Sequence, residues 1–466
     1  MQLFHGIVTT IRDISSSNRI YTVIIPEKGI SVRAKSGTML ELLEPVQLST
    51  HDKNGLYEAE PTDKHYSEYQ TALQEVCLRL RIQEPSLPDI GKHGVDMSLA
   101  LNAQIIAAAS RIIRNIASGA PISVHFHSDG DGSTGAIGLY RGIRAASSAM
   151  QADYKAIKWE AVRGIAYAED SLYADELFFK SFSSAERPIT LITDFGSSPE
   201  SNRSIKHLAE ISDIIWIDHH PPDKGFVQPE SLYINPWNHG GDSSLSAGFI
   251  TCMLGSAMGA DNVEDMMLVS LISDHTSLAK PDKTNEEKAA VLDAINIHNP
   301  DGVPNTPQYM EAVLSDAAKF SHILSESTAQ MDEATSIGLR CGKRVMSKMG
   351  FPIFILNFEK VAKMKFSYIK MGKYTSTLHS VLEKDGTQLV TIVYHNRYIS
   401  ARASKRIAST SILIETVRKM SEDKEEVENA GGHMEAVSMR LADNNAAEIS
   451  KKFASYLGAQ PSAALL

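Results

Sequence analysis

Residues 122–132 read Ile-Ser-Val-His-Phe-His-Ser-Asp-Gly-Asp-Gly, an apolar run that ends in a polar turn rich in glycine. The run predicts a buried β-strand, and a helical pattern follows over Leu139–Ala149. His127, Asp129 and Asp131 alternate, so an extended backbone would present all three side chains on one side. An imidazole and two carboxylates suit Mn²⁺ or a similar divalent ion. The alternative is an Asp-Gly loop that caps the next helix.

Three more polar clusters follow apolar runs along the chain. They are Asp194 after Ile189–Thr193, Asp218-His219-His220 after Ile214–Ile217, and Asp274 after Met266–Ile272. The first two runs predict buried strands, whereas the third is a strand or a helix. Strands that alternate with helices predict an α/β domain with a mostly parallel sheet. Such sheets bind ligands at the carboxyl ends of their strands, which is where these clusters fall.

Each cluster alone has an ordinary structural explanation, because Asp also caps helices and turns. Together they supply six candidate metal ligands, namely His127, Asp129, Asp131, Asp194, His219 and Asp274. Six donors are enough for two ions that share a carboxylate. Two ions about 3.5–4 Å apart can activate a bridging hydroxide and stabilise an in-line displacement at phosphorus. The pattern therefore indicates a phosphoesterase.

The ordered set of motifs resembles a known family. HxDxDG at 127–132, Asp194, Asp218-His219-His220 and Asp274 are similar to the four motifs of the DHH phosphoesterase superfamily. Ser400-Ala-Arg402-Ala-Ser404 and Gly431-Gly-His433-Met-Glu-Ala436 resemble the arginine-bearing strand and the GGH loop of the DHH-associated domain. The resemblance spans about residues 120–460 in the family's order.

Within this superfamily the chain is most similar to RecJ-like exonucleases, including archaeal forms with histidine in place of the first aspartate of DxDxDG. That spacing favours His127 as a ligand. Related pyrophosphatases and small-nucleotide phosphodiesterases place the ligand histidine four residues before the first Asp, which is His125 here. His125 is therefore the alternative ligand or a supporting group.

The resemblance also implies roles for the residues. His127 and Asp129 would hold one Mn²⁺, and Asp131, His219 and Asp274 the other, with Asp194 between them and Mg²⁺ as an alternative metal. Asp194 and His219 would thus act in catalysis as metal ligands. Asp218 and His220 would act with them. Asp218 would orient a histidine, and His220 would contact the scissile phosphate or protonate the leaving oxygen. The substrate-binding group would be His220, Arg402, Gly431, Gly432 and His433, since guanidinium and backbone amides both bind phosphate.

Four segments are predicted. Residues 1–62 are predicted to form a small β-barrel, either of the oligonucleotide-binding (OB) type or a plain β cap. Residues 63–285 are predicted to form the catalytic domain, residues 286–345 a helical linker, and residues 346–466 an α/β substrate-binding domain. In the last segment, strands are predicted at Phe351–Asn357, Thr375–Leu382, Leu389–His395 and Ile399–Ala403, and a helix at Ile407–Met420.

Composition narrows the class of protein. The formal charge of -10 argues against a globally basic nucleic-acid coat, so phosphate contacts would need a local basic patch. No apolar run is long enough for a membrane span, and three scattered cysteines suit reduced thiols in the cytoplasm. The leading hypothesis is a Mn²⁺-dependent exonuclease on single-stranded DNA or RNA, in repair or replication and with replication proteins as further partners.

Two alternatives remain open at this point. One is a phosphodiesterase for short oligoribonucleotides or for cyclic or linear dinucleotides. The other is a replication-complex scaffold, a Cdc-type helicase partner that has the fold without the activity.

Overall fold

A computed structural model describes residues 3–15, 18–49, 56–62, 69–152, 154–222, 225–229, 232–280, 282–421, 426–432 and 435–458. The chain forms two compact units. The first contains residues 1–296 and 301–317, and the second contains residues 297–300 and 318–466.

The first unit begins with a β-barrel. Its strands are β1 (Phe4–Ser15), β2 (Asn18–Ile25), β3 (Ile30–Lys35), β4 (Pro45–Leu48) and β5 (Tyr57–Pro61). They pair in the order β1-β2-β3-β5-β4 and close back onto β1, and β3–β5 is the parallel pair. Alternate side chains such as Val8, Val23 and Leu48 fill the interior. The predicted small β-barrel is therefore confirmed, because β1 pairs with both β2 and β4 and so closes the sheet.

The rest of the first unit is an α/β domain. Its elements are α1 (Tyr69–Cys77), α2 (Gly91–Ser118), β6 (Ile122–His127), α3 (Gly130–Ala149), β7 (Ile157–Val162), α4 (Glu169–Lys180), β8 (Phe182–Ser184), β9 (Ile189–Thr193), α5 (Asn202–Ile211), β10 (Asp213–Ile217), β11 (Leu232–Ile234), α6 (Ala247–Ala257), α7 (Glu264–Ser273), α8 (Lys283–Ile297) and α9 (Pro307–Ser315). Short 3-10 helices lie at Pro26–Lys28, Pro199–Ser201 and Pro236–His239.

The sheet of this domain is fully parallel, in the order β11-β10-β9-β6-β7. The predicted strands β6, β9 and β10 are its three central members, and β9 is buried along its whole length. The run Met266–Ile272 is part of helix α7. Glu264 and Asp265 in its first turn favour a helix start, and Met and Leu are good helix formers.

The barrel is attached to the α/β domain through β1. This strand extends past the barrel and pairs with β8, with Arg12 opposite Phe182. The hydroxyls of Thr9 and Thr10 donate to the carbonyl oxygen of Ser118, at the end of α2, at 2.7 and 2.9 Å. These contacts explain why the barrel belongs to the same compact unit.

The second unit is built around a mixed sheet. Its elements are α10 (Ala317–Cys341), β12 (Lys343–Met346), β13 (Pro352–Asn357), α11 (Glu359–Ala362), α12 (Met371–Glu383), β14 (Val390–His395), β15 (Tyr398–Ala403), α13 (Lys405–Ala408), α14 (Ile412–Ser421), β16 (Val427–Gly432), β17 (Ala436–Leu441) and α15 (Ala446–Tyr456). The strand order is β12-β13-β14-β15-β17-β16, and β13–β14 is its parallel pair.

One predicted strand of this unit is wrong. Residues 375–382 lie in helix α12, whose buried side chains include Tyr374, Leu378 and Leu382. Their spacing of four residues is helical, and the hydroxyl of Thr375 bonds the carbonyl four residues back, at Met371. The predicted helix at Ile407–Met420 is two helices, α13 and α14, which are interrupted near Ser411, a residue with φ of 59°.

No helix in the described part of the chain combines the length and the apolar composition that crossing a bilayer requires.

Candidate metal centre

The carboxyl ends of β6, β9 and β10 bring the predicted ligands together. His127 is the last residue of β6, and its Nδ1 lies 2.6 Å from Asp129 Oδ2. The other oxygen of Asp129, Oδ1, accepts the backbone N–H of Gly132 at 3.0 Å and so caps α3. Asp129 therefore caps α3 through one oxygen and contacts His127 through the other.

Asp131 reaches the site differently from the prediction. The strand ends at His127 and the backbone is still extended at Asp129, but Asp131 lies in the first turn of α3, so alternation along a strand does not place it. Its carboxylate accepts the hydroxyl of Ser270 and the backbone N–H of Gly248. A Cβ on Gly248 would lie 2.2 Å from the carbonyl oxygen of Asp131, so glycine permits this close approach of α6.

Asp194 occupies the centre of the site. It directly follows β9 in the left-handed region, with φ of 69°, where residues other than glycine carry a strain of about 1 kcal/mol or more. Its backbone N–H donates to the carbonyl of Ile217 at 2.9 Å. Its Oδ2 lies 3.7 Å from His127 Nδ1, and its Oδ1 lies 3.6 Å from His219 Nε2. One buried carboxylate thus faces a histidine on each side.

His219 is positioned by hydrogen bonds to its ring and to its backbone carbonyl oxygen. Its Nδ1 lies 3.1 Å from the carbonyl oxygen of Ser243, which favours the tautomer with the proton on Nδ1. The unprotonated Nε2, on the side of Asp194, is then available to bind a metal ion. The carbonyl oxygen of His219 accepts Ser243 Oγ at 2.7 Å and Trp237 Nε1 at 3.1 Å. Neither Ser243 nor Trp237 carries a local sequence signal for this role.

Asp218 positions the two histidines that follow it through hydrogen bonds. Its Oδ1 accepts the backbone N–H groups of His219 and His220 at 2.8 and 3.1 Å, and lies 2.7 Å from His220 Nδ1. Its Oδ2 accepts Ser197 Oγ at 2.5 Å. Burial lowers the pKa of His220, but the charge and hydrogen bond of Asp218 outweigh burial and raise it to about 9. The same pair holds the pKa of Asp218 well below its usual range, against the effect of burial.

Asp274 completes the group at the end of α7. Its Oδ2 lies 3.6 Å from His219 Nδ1. Burial raises the pKa of Asp274 to about 6, with the charge of Asp131 acting in the same direction. Burial likewise raises the pKa values of Asp131 and Asp194, and the charge of Asp129 adds to both shifts.

These carboxylates suit bound cations. Two sets of donor atoms, each within 4.8 Å, could hold an ion, namely His127 with Asp129 and Asp194, and Asp194 with His219 and His220. Asp194 belongs to both sets, as a bridging ligand would. His220 in the second set was predicted as a substrate contact and not as a ligand. Asp131 and Asp274 border these sets, but in the described part of the chain neither residue belongs to a set whose donor atoms all lie within 4.8 Å of one another.

His125, the alternative ligand, lies in a different cluster. Its Nε2 lies 2.8 Å from Asp175 Oδ2 and 3.1 Å from Ser123 Oγ, and the ring is fully buried. Asp175 also accepts Lys158 Nζ at 3.0 Å and the hydroxyl of Tyr167 at 2.7 Å. The geometry therefore brings His127 and not His125 to the other candidate ligands.

The substrate residues predicted in the second unit share one region of its sheet. Arg402 on β15 pairs with Ala436 on β17, and Gly432 on β16 pairs with Val437 on β17. The Nε of Arg402 donates to Ser376 Oγ at 2.8 Å, and burial lowers the pKa of Arg402 to about 10. The guanidinium therefore stays charged at neutral pH. His433 lies outside the described residues.

Comparison with known proteins agrees with this geometry. Residues 121–279 match the DHH family, N-terminal domain. An uncharacterized protein of Methanocaldococcus jannaschii is 28% identical over 216 residues, which are 42% of this chain and 28% of that protein. The match thus spans less than a third of that relative.

Two solved structures are similar as well. A DHH domain described as belonging to a member of the s1p family of ribosomal proteins has a TM-score of 0.68 at 20% identity, over 83% of this chain and 97% of that one. RecJ from Thermus thermophilus, in complex with Mn²⁺, has a TM-score of 0.47 at 16% identity, over 76% of this chain and 54% of that one. The first likeness shows the fold, and the family match shows which domain carries the metal-ligand candidates. Residues 121–279, which contain the six candidate ligands, therefore match the DHH family, N-terminal domain.

Proposed function

We propose that this protein is a metal-dependent hydrolase that cleaves phosphodiester bonds of single-stranded nucleic acid, as a RecJ-like exonuclease. The observation that supports the proposal best is the position of Asp194. Its two carboxylate oxygens face different histidines, at 3.7 Å and 3.6 Å, within two overlapping sets of donor atoms. A carboxylate shared in this way is what a site for two ions requires.

The donor set fits hard divalent ions. Carboxylates and imidazoles suit Mn²⁺, and Mg²⁺ is the alternative that carboxylates also favour. His127 and Asp129 would hold one ion, His219 with Asp131 and Asp274 the other, and Asp194 both. When bound, the ions would lower the pKa of water and offset the charge that develops on the phosphate. The buried carboxylates provide the complementary negative charge.

His220 is the residue of the tripeptide best arranged to serve the substrate. The hydrogen bond from its Nδ1 to Asp218 fixes the ring orientation. The other ring nitrogen, Nε2, is then the atom that can contact the scissile phosphate or give a proton to the leaving oxygen. Asp218 acts through His220 and through the backbone of the tripeptide.

The second unit would bind the substrate. We assign catalysis to residues 63–285 and substrate binding to residues 346–466, with 286–345 as the connection between them. Arg402 remains cationic at neutral pH, because burial lowers its pKa only to about 10. Its guanidinium suits a phosphate. Gly431 and Gly432 would let backbone amides approach the same anion, and His433, the next residue in sequence, is the further substrate contact that we propose.

Purified protein with Mn²⁺ and end-labelled single strands tests the proposal. Both sugars, and labels at either end, define substrate and polarity. Asp131→Asn and Asp194→Asn should each abolish Mn²⁺-dependent cleavage, whereas Asp170→Asn, at an exposed position, should leave it unchanged. Asn tolerates the left-handed backbone at residue 194, so that change tests the carboxylate and not the fold. Full activity of either site variant would contradict the mechanism.

The substrate series also separates the alternatives. Cleavage of dinucleotides without cleavage of long strands would identify a short-nucleotide phosphodiesterase. Binding to replication proteins without any cleavage would identify a scaffold, although the intact set of candidate ligands favours an enzyme.

A further inference from the structure

Helix α8 contacts the part of the chain that carries two of the candidate metal ligands. Residues 128–133 connect the end of β6 to the first turn of α3 and contain Asp129 and Asp131. We refer to them as the ligand segment. Asp293 and Asn296, near the end of α8, both bond this segment. Their spacing of three residues places them on the same face of the helix.

The carboxamide of Asn296 bonds the ligand segment through both of its polar atoms. Its Nδ2 donates to the carbonyl oxygen of Asp129 at 3.1 Å and to Ser133 Oγ at 2.6 Å. Its Oδ1 accepts the hydroxyl of Ser128 at 3.4 Å. Asn296 is only 3% exposed, and burial of an amide is costly unless its polar atoms are bonded. One buried side chain therefore holds the segment on both sides of Asp129.

The partners of this carboxamide determine its orientation. Its Nδ2 also donates to the carbonyl oxygen of Leu292 at 2.9 Å, and its Oδ1 accepts Nδ2 of Asn305 at 3.2 Å. A carbonyl oxygen can only accept a hydrogen bond, and an amide nitrogen can only donate one. A flipped carboxamide would therefore place its oxygen against the carbonyl oxygens of Asp129 and Leu292. The orientation that bonds the ligand segment is the one that satisfies all of these groups.

Asp293 holds the backbone between the two candidate ligands. Its Oδ1 accepts the N–H of Gly130 at 2.9 Å. Gly130 lies between Asp129 and Asp131 in sequence. A Cβ at this position would lie 3.2 Å from Asp293 Oδ1 and would overlap Ser273 Oγ, so glycine allows α7 and α8 to approach the segment closely. Asp293 and Asn296 thus bond adjacent peptide groups of the ligand segment.

Helix α8 lies beyond the part of the chain that matches the DHH family. That match covers residues 121–279, whereas α8 comprises Lys283–Ile297. Asn296 is the last residue of the first unit before residues 297–300, which belong to the second unit. Asn305, on the segment that returns to the first unit, donates to a backbone carbonyl of α8 at 3.0 Å. The end of α8 is therefore anchored within the first unit where the chain leaves it.

We propose that Asp293 and Asn296 are positioning residues of the metal centre, which hold Asp129 and Asp131 in the arrangement that binds divalent ions. This inference rests on the proposed function, and it extends the part of the chain that serves the metal centre from residue 285 to residue 296. Neither side chain touches the ions in this proposal. Groups that orient metal ligands typically contribute about 10- to 100-fold to metal affinity or activity.

Calorimetric titration of the full chain with Mn²⁺ tests the role of Asn296. Asn296→Ala should lower the Mn²⁺ affinity about 10- to 100-fold. Asn115→Ala is the matched control, because Asn115 is a buried asparagine of the same unit whose Nδ2 donates to the carbonyl oxygen of Arg187 at 2.9 Å. Arg187 precedes β9, whose other end leads to Asp194. Both variants should lower the free energy of unfolding in urea, but only Asn296→Ala should lower the Mn²⁺ affinity.

Two variants of Asp293 separate the effect of its hydrogen bond from that of its charge. Asp293→Asn keeps a side-chain oxygen for the N–H of Gly130 and should retain most of the Mn²⁺ affinity. Asp293→Ala removes the acceptor and should lower the affinity about 10- to 100-fold. This pair keeps the inference testable even if Asn296→Ala does not fold.

Equal Mn²⁺ affinities in Asn296→Ala and Asn115→Ala would overturn the role of Asn296. An equal loss in Asp293→Asn and Asp293→Ala would overturn that of Asp293, because its charge and not its hydrogen bond would then matter. If the wild-type protein binds Mn²⁺ but cleaves no phosphodiester, and the two positioning variants to alanine still bind Mn²⁺ more weakly, the proposed function fails and the positioning role stands. A wild-type protein that does not bind Mn²⁺ would overturn both.

Discussion

The indole Nε1–H of Trp237 is shared between two acceptors, the carbonyl oxygen of His219 at 3.1 Å and Ser243 Oγ at 3.0 Å. Ser243 in turn contacts Nδ1 of His219 through its carbonyl oxygen. A half-exposed ring outside the DHH tripeptide therefore fixes how the candidate ligand His219 is presented. Groups that orient a ligating histidine typically contribute 10- to 100-fold to metal affinity or activity.

Trp237→Phe removes these hydrogen bonds and keeps an aromatic ring. We expect Mn²⁺ affinity, measured by calorimetric titration, to fall about 10- to 100-fold. Trp159→Phe is the matched control, because within the described residues the indole nitrogen of Trp159 has no hydrogen-bond partner. Equal Mn²⁺ affinities in the two variants would show that Trp237 does not position His219.

Gly248→Ala should disrupt the metal centre from the α6 side. The added methyl would lie 2.2 Å from the carbonyl oxygen of Asp131 and 2.7 Å from its Oδ1, so helix α6 or Asp131 must move. We expect Mn²⁺-dependent hydrolysis to fall more than about 100-fold, since misplacement by about 1 Å has that effect on catalysis. Gly164→Ala meets only one atom, at 3.9 Å, and should retain activity. Wild-type rates in Gly248→Ala would argue against Asp131 as a ligand.

Asp175 makes stability depend on pH in the acid range. Burial raises its pKa, but the hydrogen bond and charge of His125, with Lys158 and Ser123, outweigh burial and lower it to about 2. The folded pKa is thus below the unfolded value of about 3.9. Its contribution, about 2 kcal/mol, is therefore present above about pH 4 and is lost as the pH falls toward 2.

Urea unfolding of wild type and Asp175→Asn measures this contribution. All tryptophans, Trp159, Trp216 and Trp237, lie in the first unit, so their emission reports on that unit alone. The difference in the free energy of unfolding should be constant from neutral pH to about pH 4 and should shrink below it. A difference that grows as the pH falls would contradict the sign derived for Asp175.

Gly119→Ala should loosen the attachment of the barrel. Gly119 has φ of 76°, and a Cβ there would lie 2.4 Å from Thr22 Oγ1 on β2. Both backbone strain and overlap oppose alanine, so we expect a loss of about 1–3 kcal/mol in the free energy of unfolding. Gly37→Ala, which meets no atom within 4 Å, should change stability little. Equal unfolding curves for the two variants would mean that the end of α2 and β2 can move apart without lowering the free energy of unfolding.

Local sequence patterns predicted the features that depend on neighbouring residues along the chain. Buried apolar runs predicted β6, β9 and β10, and the polar residues that follow them fall at one edge because parallel strands align their carboxyl ends. Short β-branched runs likewise predicted the barrel. The same reasoning failed at residues 375–382, because a mixture of threonine, leucine and valine fits a strand in isolation, whereas packing of Tyr374, Leu378 and Leu382 selects helix α12.

The orientation of the candidate ligands depends on contacts between segments that are distant in sequence. Asp131 leaves the strand and turns toward Ser270 and Gly248, which are more than a hundred residues away in sequence. Asp194 takes a left-handed backbone conformation, and its N–H bonds Ile217 on the next strand. His125 and His127 have the same local sequence pattern, yet they contact different carboxylates. His125 contacts Asp175, and His127 contacts Asp129. Such contacts are set by three-dimensional packing, which periodicity along the chain does not encode.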